Sequence, residues 1–258
     1  MSSSVFVGID LGASRTKVAI LDGNKQLIGQ SVNKSGIDYS QTADAGLEEA
    51  LALAKASPND IAATVATGYG RKNVSFANDA KTEIACHAKG CFHFFPKAIS
   101  IIDIGGQDNK IIKLDDRGLC TDFKMNRKCA AGTGAFLEEM SLRLDIALED
   151  MNDHASRSTD MVKLGSYCTV FSGTEVLENI RNGKKVEDII KGLFFSVIKR
   201  VMEMDALTEQ VVMTGGVVAH NPYLVNMAEE IIGREVLVPT YPQLTGAIGA
   251  ALFAMNHQ

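Results

Sequence analysis

The stretch "IDLGASRTKVAIL", Ile9 to Leu21, returns in altered form as "IDIGGQDNKIIKL", Ile102 to Leu114. Each copy follows an apolar run, carries Asp and then Gly two residues later, and places Lys seven residues after the Asp. Each continues as a second apolar run and ends in a polar turn, "DGNK" or "DDRG". Apolar runs on either side of a tight polar turn predict a hairpin, here used twice. The offset of 93 residues between Asp10 and Asp103 is too long for a solenoid repeat and predicts a duplicated domain.

Working outward, helices and strands alternate. "DAGLEEALALAKA" has helical spacing, "IAATVATG" reads as a strand, and "AFLEEMSLRL" reads as a helix. Val186, Ile189, Ile190, Leu193, Phe194, Val197, Ile198, Val201 and Met202 form one stripe at helical spacing. "EQVVMTGG" is a buried strand breaking into a glycine turn, and "TGAIGAALFAM" a small-residue helix. Hairpin strands followed by this alternation imply an α/β class of mixed sheets covered by helices. No linker or low-complexity stretch interrupts the chain.

With 258 residues, 46% hydrophobic and 22% charged, the chain can bury a sizeable core, as two modest domains or one large one. A net charge of −5 argues against nucleic acid or an anionic membrane surface as the main partner. The start "MSSSVFVGIDLG" lacks a basic region and carries Asp10 in its apolar run, unlike a signal peptide. No apolar stretch approaches the roughly 20 residues that span a bilayer. A cytoplasmic protein is expected. Five cysteines (86, 91, 120, 129 and 168) are an odd number, favouring reduced thiols or metal ligands over a disulfide framework. No CxxC occurs, so a self-contained zinc ribbon or ferredoxin motif is absent.

An Asp-x-Gly turn offers backbone N–H groups to anionic oxygens, because glycine permits close approach. Its carboxylate can hold a hydrated magnesium ion or orient a water. Two such turns facing each other could clamp a triphosphate, and a third glycine turn, Thr214 to Val217, could pass an adenosine moiety. Any one is a weak signal; three at strand ends, two of them matched, are a strong one. Neither GxxxxGK[ST] nor GxGxxG after the first strand is present.

The turns at Asp10, Asp103 and Gly215-Gly216, with "TGAIGAAL", resemble the phosphate, adenosine and connecting motifs of the sugar kinase, Hsp70 and actin superfamily. The resemblance covers nearly the whole chain. It implies two ribonuclease-H-like domains with a nucleotide cleft between them, expected as residues 1–95 and 96–258. The second would carry the cluster ligands, and the C-terminal helix would pack back on the first. Within the superfamily, "GIDLGASRTK", "ATGYGR", "DIGGQD", "KCAAGTGAF", "YCTVF" and "VMTGGV" resemble the activator components of 2-hydroxyacyl-CoA dehydratases and benzoyl-CoA reductases. Those are iron–sulfur ATPases that inject an electron into a partner enzyme. The resemblance implies an ATP/ADP site with Mg2+ and a 4Fe–4S cluster. It also implies a homodimer, a partner dehydratase or reductase, and a ferredoxin or flavodoxin donor.

Residue by residue, Asp10 and Asp103 are expected to organise hydrated magnesium and the attacking water. Gln107 is the candidate for orienting that water, against a simple phosphate-side hydrogen bond. Gly12, Ala13, Ser14, Thr16, Lys17, Gly105, Gly106, Gly132, Gly134, Gly215, Gly216 and Gln243 are the expected nucleotide contacts. The family's hydroxyl-rich first turn is here Ala13-Ser14-Arg15-Thr16, and Arg15 either meets a phosphate or points to solvent.

Cys129 follows Arg127 and Lys128 and precedes a helix start, features that favour thiolate over thiol. Read alone, it is a nucleophile, a metal ligand or a buried structural cysteine. The resemblance implies that Cys129 and Cys168 are cluster ligands, although "SYCTVF" alone reads equally as a core strand. A 4Fe–4S cluster takes four thiolates, so two per chain require a second copy. "CHAKGCFH", with Cys86, His87, Cys91 and His93, matches no standard zinc spacing and has helical apolar periodicity, which favours core packing. Cys120 reads as the end of a strand without a role. Two other readings of the scaffold stand beside the activator: a small-molecule kinase with Asp103 as base, and a regulatory ATP-binding module.

Overall fold

The computed structural model describes residues 4–126, 129–165, 168–207 and 210–257. Two compact units share the chain. The first takes the chain through Ala98, with Leu114–Thr121 and the stretch from Gln243; the second takes Ile99–Lys113 and Asp122–Pro242.

The first unit opens with strands β1 (Val5–Leu11), β2 (Arg15–Leu21) and β3 (Leu27–Lys34), followed by helix α1 (Tyr39–Ala54). Strand β4 (Ile61–Thr67), a two-residue β5 (Asp79–Ala80) and helix α2 (Glu83–Phe94) complete the run. Its sheet has the order β3-β2-β1-β4-β5. β1 pairs antiparallel with β2 and parallel with β4. All seven β1 residues are buried, as expected of a central strand covered on both faces. Val5, Val7, Ile9 and Leu11 pack with Ala43, Ala50 and Leu51 of α1. α1 starts where Asp38 Oδ1 accepts the Gln41 N–H at 3.0 Å, and it stops at Lys55, whose φ is 53°.

The second unit repeats the plan. Strands β6 (Ile99–Ile104), β7 (Asn109–Leu114) and β8 (Cys120–Asn126) precede helices α3 (Gly134–Leu144), α4 (Met151–Ser156), α5 (Thr169–Arg181) and α6 (Val186–Met202). Then come β9 (Val211–Thr214), α7 (Gly216–His220), α8 (Pro222–Ile232) and β10 (Val236–Leu237). The sheet order, β8-β7-β6-β9-β10, repeats that of the first unit strand for strand. The predicted stripe lies on α6: Ile189 through Val201 fill the core against Ile102, Ile104, Val211 and Met213. Val186 and Met202 sit partly buried at its edge.

The last helix, α9 (Thr245–Ala254), belongs to the first unit. Nine of its ten residues are buried, so it is enclosed on all sides and its small residues are a packing requirement. A Cβ on Gly8 of β1 would overlap the Ala247 carbonyl, and one on Gly249 would overlap the Cys86 carbonyl of α2. These are backbone-to-backbone approaches, which no side-chain rotation relieves. No helix among the described residues is long and apolar enough to cross a membrane.

Gly249→Ala is therefore expected to destabilise the chain by about 3 kcal/mol through overpacking, with a lowered Tm in thermal denaturation. Gly23→Ala, where an added Cβ meets nothing within 4 Å, should leave the Tm unchanged.

Candidate functional site

The two matched turns are closed by the same backbone bond. Gly12 N donates to Arg15 O at 3.2 Å, and Gly105 N donates to Asp108 O at 2.9 Å. A Cβ on either glycine would come within 2.8 Å of that same carbonyl, which is the local reason for glycine there. The repeated Lys also has one job in both hairpins. Lys17 Nζ lies 2.9 Å from Asp10 Oδ2, and Lys110 Nζ lies 3.1 Å from Asp103 Oδ2. Both carboxylates are buried, where an unpaired charge would be costly; the ammonium partner makes the burial tolerable.

Around the first turn, Thr16 is buried and shares a 2.8 Å hydrogen bond with Ser35, whose hydroxyl donates to Gly12 O at 2.7 Å. Thr16 thus braces the turn from behind. Ala13 and Ser14 are half-buried at its tip, and Arg15 is exposed to solvent. In the second turn Gly105 and Gly106 are half-buried, while Gln107 at the tip is exposed and Asp108 gives Lys110 a second carboxylate at 2.8 Å. Gly215 ends β9 with φ 101°, and its N–H donates to Pro242 O at 2.9 Å. Gly216 begins α7, and Gln243 lies half-buried just before α9.

The cysteine loop is built on the second turn. Cys129 is half-buried, and its carbonyl accepts Asn126 Nδ2 at 3.3 Å. Gly132, at φ 80°, gives its carbonyl to Asn109 Nδ2 at 2.8 Å. Thr133, the N-cap of α3, makes no side-chain cap; its hydroxyl donates to Ala130 O instead. The free N–H groups of the first helical turn go elsewhere: Gly134 N to Gly105 O at 2.9 Å and Ala135 N to Gly106 O at 2.8 Å. The carbonyls of the second Asp-x-Gly turn therefore cap the helix that follows Cys129. Arg127 and Lys128, whose charges the sequence reading placed beside this thiol, lie outside the described residues, as does Tyr167.

Cys168 is exposed and is the N-cap of α5, its carbonyl accepting Ser172 N at 2.8 Å, so the core-strand alternative is corrected to a helix start. The strand reading failed because "YCTVF" is too short for its periodicity to separate a strand from a helix start. Upstream, Gly165 N donates to Glu175 Oε2 of α5 at 2.7 Å, tying the approach to the helix. α3 and α5, the helices that follow the two cysteines, pack against each other. Cys120 begins β8 rather than ending a strand. Gly118, at φ 78°, turns the chain, and the strand restarts beyond it.

"CHAKGCFH" lies on α2 as the periodicity predicts. Cys86 and Cys91 are fully buried, and burial pushes the Cys86 thiol up to about 12, a poor prospect for a thiolate ligand. His87 Nδ1 lies 3.2 Å from Thr245 Oγ1 of α9.

Three residues beside the matched aspartates, Thr67, Gly68 and Asp108, were given no role of their own in the sequence reading, and Thr214 was read only as the start of the third glycine turn. Thr67 stands opposite Asp10 in the β1–β4 register, and Thr214 stands opposite Asp103 in the β6–β9 register. Gly68, at φ 89°, and Gly215 follow them. The signal was present, since "ATG" and "MTG" each end an apolar run, but register with a distant strand cannot be read locally.

The BadF/BadG/BcrA/BcrD ATPase family matches residues 7–254. The activator of lactoyl-CoA dehydratase from Anaerotignum propionicum is 43% identical over 251 residues, 96% of each chain. Among solved structures, component A of (R)-2-hydroxyglutaryl-CoA dehydratase from Acidaminococcus fermentans superposes with a TM-score of 0.93 at 37% identity, covering 98% of both chains. The activator of 2-hydroxyisocaproyl-CoA dehydratase from Clostridium difficile, solved with bound ADPNP, gives 0.92 at 38% identity over 98% of this chain and 94% of that one. On matches that run almost end to end, the chain belongs to the BadF/BadG/BcrA/BcrD ATPase family.

Proposed function

We propose that this ATPase is an ATP-driven activator that delivers a low-potential electron to a partner 2-hydroxyacyl-CoA dehydratase or related reductase. The observation that carries the reading is the pair of backbone bonds from Gly134 and Ala135 to Gly105 and Gly106, which joins the cysteine loop to the turn expected to meet phosphate. The relatives named as dehydratase activators, one solved with an ATP analogue, support it.

Asp10 and Asp103 hold hydrated magnesium and the attacking water, with Gln107 at the open tip of its turn orienting that water. Lys17 and Arg15 give the first turn an excess of positive charge, which suits a phosphate. The Gly215-Gly216 turn and Gln243 meet the nucleoside. Cys129 and Cys168 suit a shared iron–sulfur cluster: neither is enclosed in the core, Cys168 is itself the N-cap of α5, where negative charge is favoured, Cys129 lies in the loop that leads into α3, and one chain supplies only half of four ligands. Such a cluster, bridging a homodimer, supplies a one-electron carrier when bound. Residues of this chain do the coupling: a change at Gly105 and Gly106 alters the caps of α3, and the helix with the Cys129 loop follows. Ferredoxin or flavodoxin is the proposed donor.

Protein purified without oxygen is expected to be brown and dimeric, with about two iron atoms per chain. Cys129→Ser and Cys168→Ser should each lose that iron while keeping ATP binding. A colourless anaerobic protein that still binds ATP would sink the proposal in favour of a kinase or regulatory module. Iron release to a chelator should differ several-fold between ADP and a non-hydrolysable ATP analogue, and equal rates would refute the coupling. Gln107→Ala should lower ATP turnover about 100-fold at unchanged ATP affinity; normal turnover would remove Gln107 from water positioning.

A further inference from the structure

The two matched aspartates are not held alike. Asp103 Oδ2 receives Lys110 Nζ at 3.1 Å, and Asp103 Oδ1 receives the Thr214 hydroxyl at 3.1 Å. Asp103, Lys110 and Thr214 are all buried, Thr214 completely. In the first unit Asp10 Oδ2 receives Lys17 at 2.9 Å, but Thr67, which occupies the place of Thr214 in the register, makes no hydrogen bond to Asp10. Among the described residues, the same scaffold therefore supplies one side-chain donor to the first carboxylate and a donor to each oxygen of the second.

That difference has a mechanical consequence. The terminal torsion of an aspartate is broad, so a single donor fixes one oxygen and leaves the carboxylate plane free to swing. Donors on both oxygens fix the plane. A group that must present a lone pair to one water in one direction gains from this, because a misoriented acceptor loses rate without losing affinity. Thr214 also immediately precedes the Gly215 turn, where a Cβ would overlap Ile104 O beside Asp103 on β6. The end of β9 thus serves two neighbours at once: its hydroxyl addresses the carboxylate, and its glycines leave the strand.

We propose that Thr214 is a positioning residue for ATP hydrolysis, fixing with Lys110 the plane of the Asp103 carboxylate. This rests on reading Asp103 as the group that organises the attacking water. Thr214 touches no reacting atom; it acts through Asp103.

The experiment uses the full-length chain and compares Thr214→Val, Thr214→Ser, Asp103→Asn and the Thr214→Val/Asp103→Asn double variant. kcat and KM for ATP are read by phosphate release. Thr214→Val, close in shape but without the donor, is expected to lower kcat about 10-fold with KM within about twofold, the scale of one hydrogen bond to a charged group. Thr214→Ser should return kcat to within about threefold of the parent. In the Asp103→Asn background, Thr214→Val should have no further effect, because the partner it orients is gone. If Thr214→Val does not fold, Thr214→Cys, a weak donor of similar size, carries the same test with an intermediate kcat expected. A parental kcat in Thr214→Val, a loss confined to KM, or full additivity with Asp103→Asn would overturn the inference. An inactive Asp103→Asn beside an unimpaired Thr214→Val would sink the positioning role alone. Parental turnover in Asp103→Asn would sink the reading of Asp103, and the positioning role with it.

Discussion

The second unit hangs on how α3 begins. A helix leaves its first N–H groups without partners inside the helix, and Thr133 gives them no side-chain cap. Gly105 and Gly106 supply the missing acceptors with their carbonyls. The same residues form the turn that closes on Asp108 and leads to Gln107. Turn conformation and helix position are thus one mechanical variable. A displaced turn either drags the helix or forfeits two hydrogen bonds, each worth about 1 kcal/mol. Gly134 is what permits the approach: an added Cβ would come within 3.1 Å of the Gly106 Cα.

Duplication supplied the scaffold, and divergence at single positions supplied the division of labour. Both units place an Asp on a central strand, a Lys seven residues on across the hairpin, and a Thr-Gly pair on the neighbouring parallel strand. Where the first turn has Arg15, the second has Asp108. The first turn's lysine faces one carboxylate and has a cation beside it, while Lys110 is shared between two carboxylates. An excess of positive charge suits phosphate oxygens, and an excess of negative charge suits a hydrated cation or a polarised water. Thr16 against Asn109 diverges in the same way. Thr16 turns to Ser35 to brace its own hairpin, and Asn109 reaches Gly132 in the cysteine loop.

What was legible in the sequence was what depends on short spacing. The Asp, Gly and Lys of each hairpin interact within seven residues, so the motif and its geometry are nearly one statement. The α6 stripe and the enclosed α9 followed from periodicity and residue size for the same reason. Thr67 and Thr214 were not legible as partners of the aspartates, since their places come from strand register across 57 and 111 residues. Nor was the capping of α3, because Thr133 looks like an ordinary N-cap and gives no sign that its hydroxyl turns back to Ala130. Cys120 was misplaced because the turn at Gly118 resets the strand.

The five thiols divide in a way that suits the proposed cluster. Cys86 and Cys91 lie in the core of α2, and burial raises the Cys86 thiol to about 12, so its thiolate is disfavoured. Cys120 opens β8 on the exposed edge of its sheet. Cys129 and Cys168 differ from these in a shared respect. Cys129 is half-buried and Cys168 exposed, and each has its carbonyl held, by Asn126 Nδ2 and by Ser172 N respectively, so backbone position is fixed at a residue that the core does not enclose. A fixed backbone at a residue outside the core is what ligation requires: the donor is placed where a ligand can reach it. Two such donors on one chain fall short of the four that a cubane cluster takes. In the proposed activator a second copy would supply the other two thiolates, and the start of α5, where Cys168 is the N-cap, would favour the negative charge they hold.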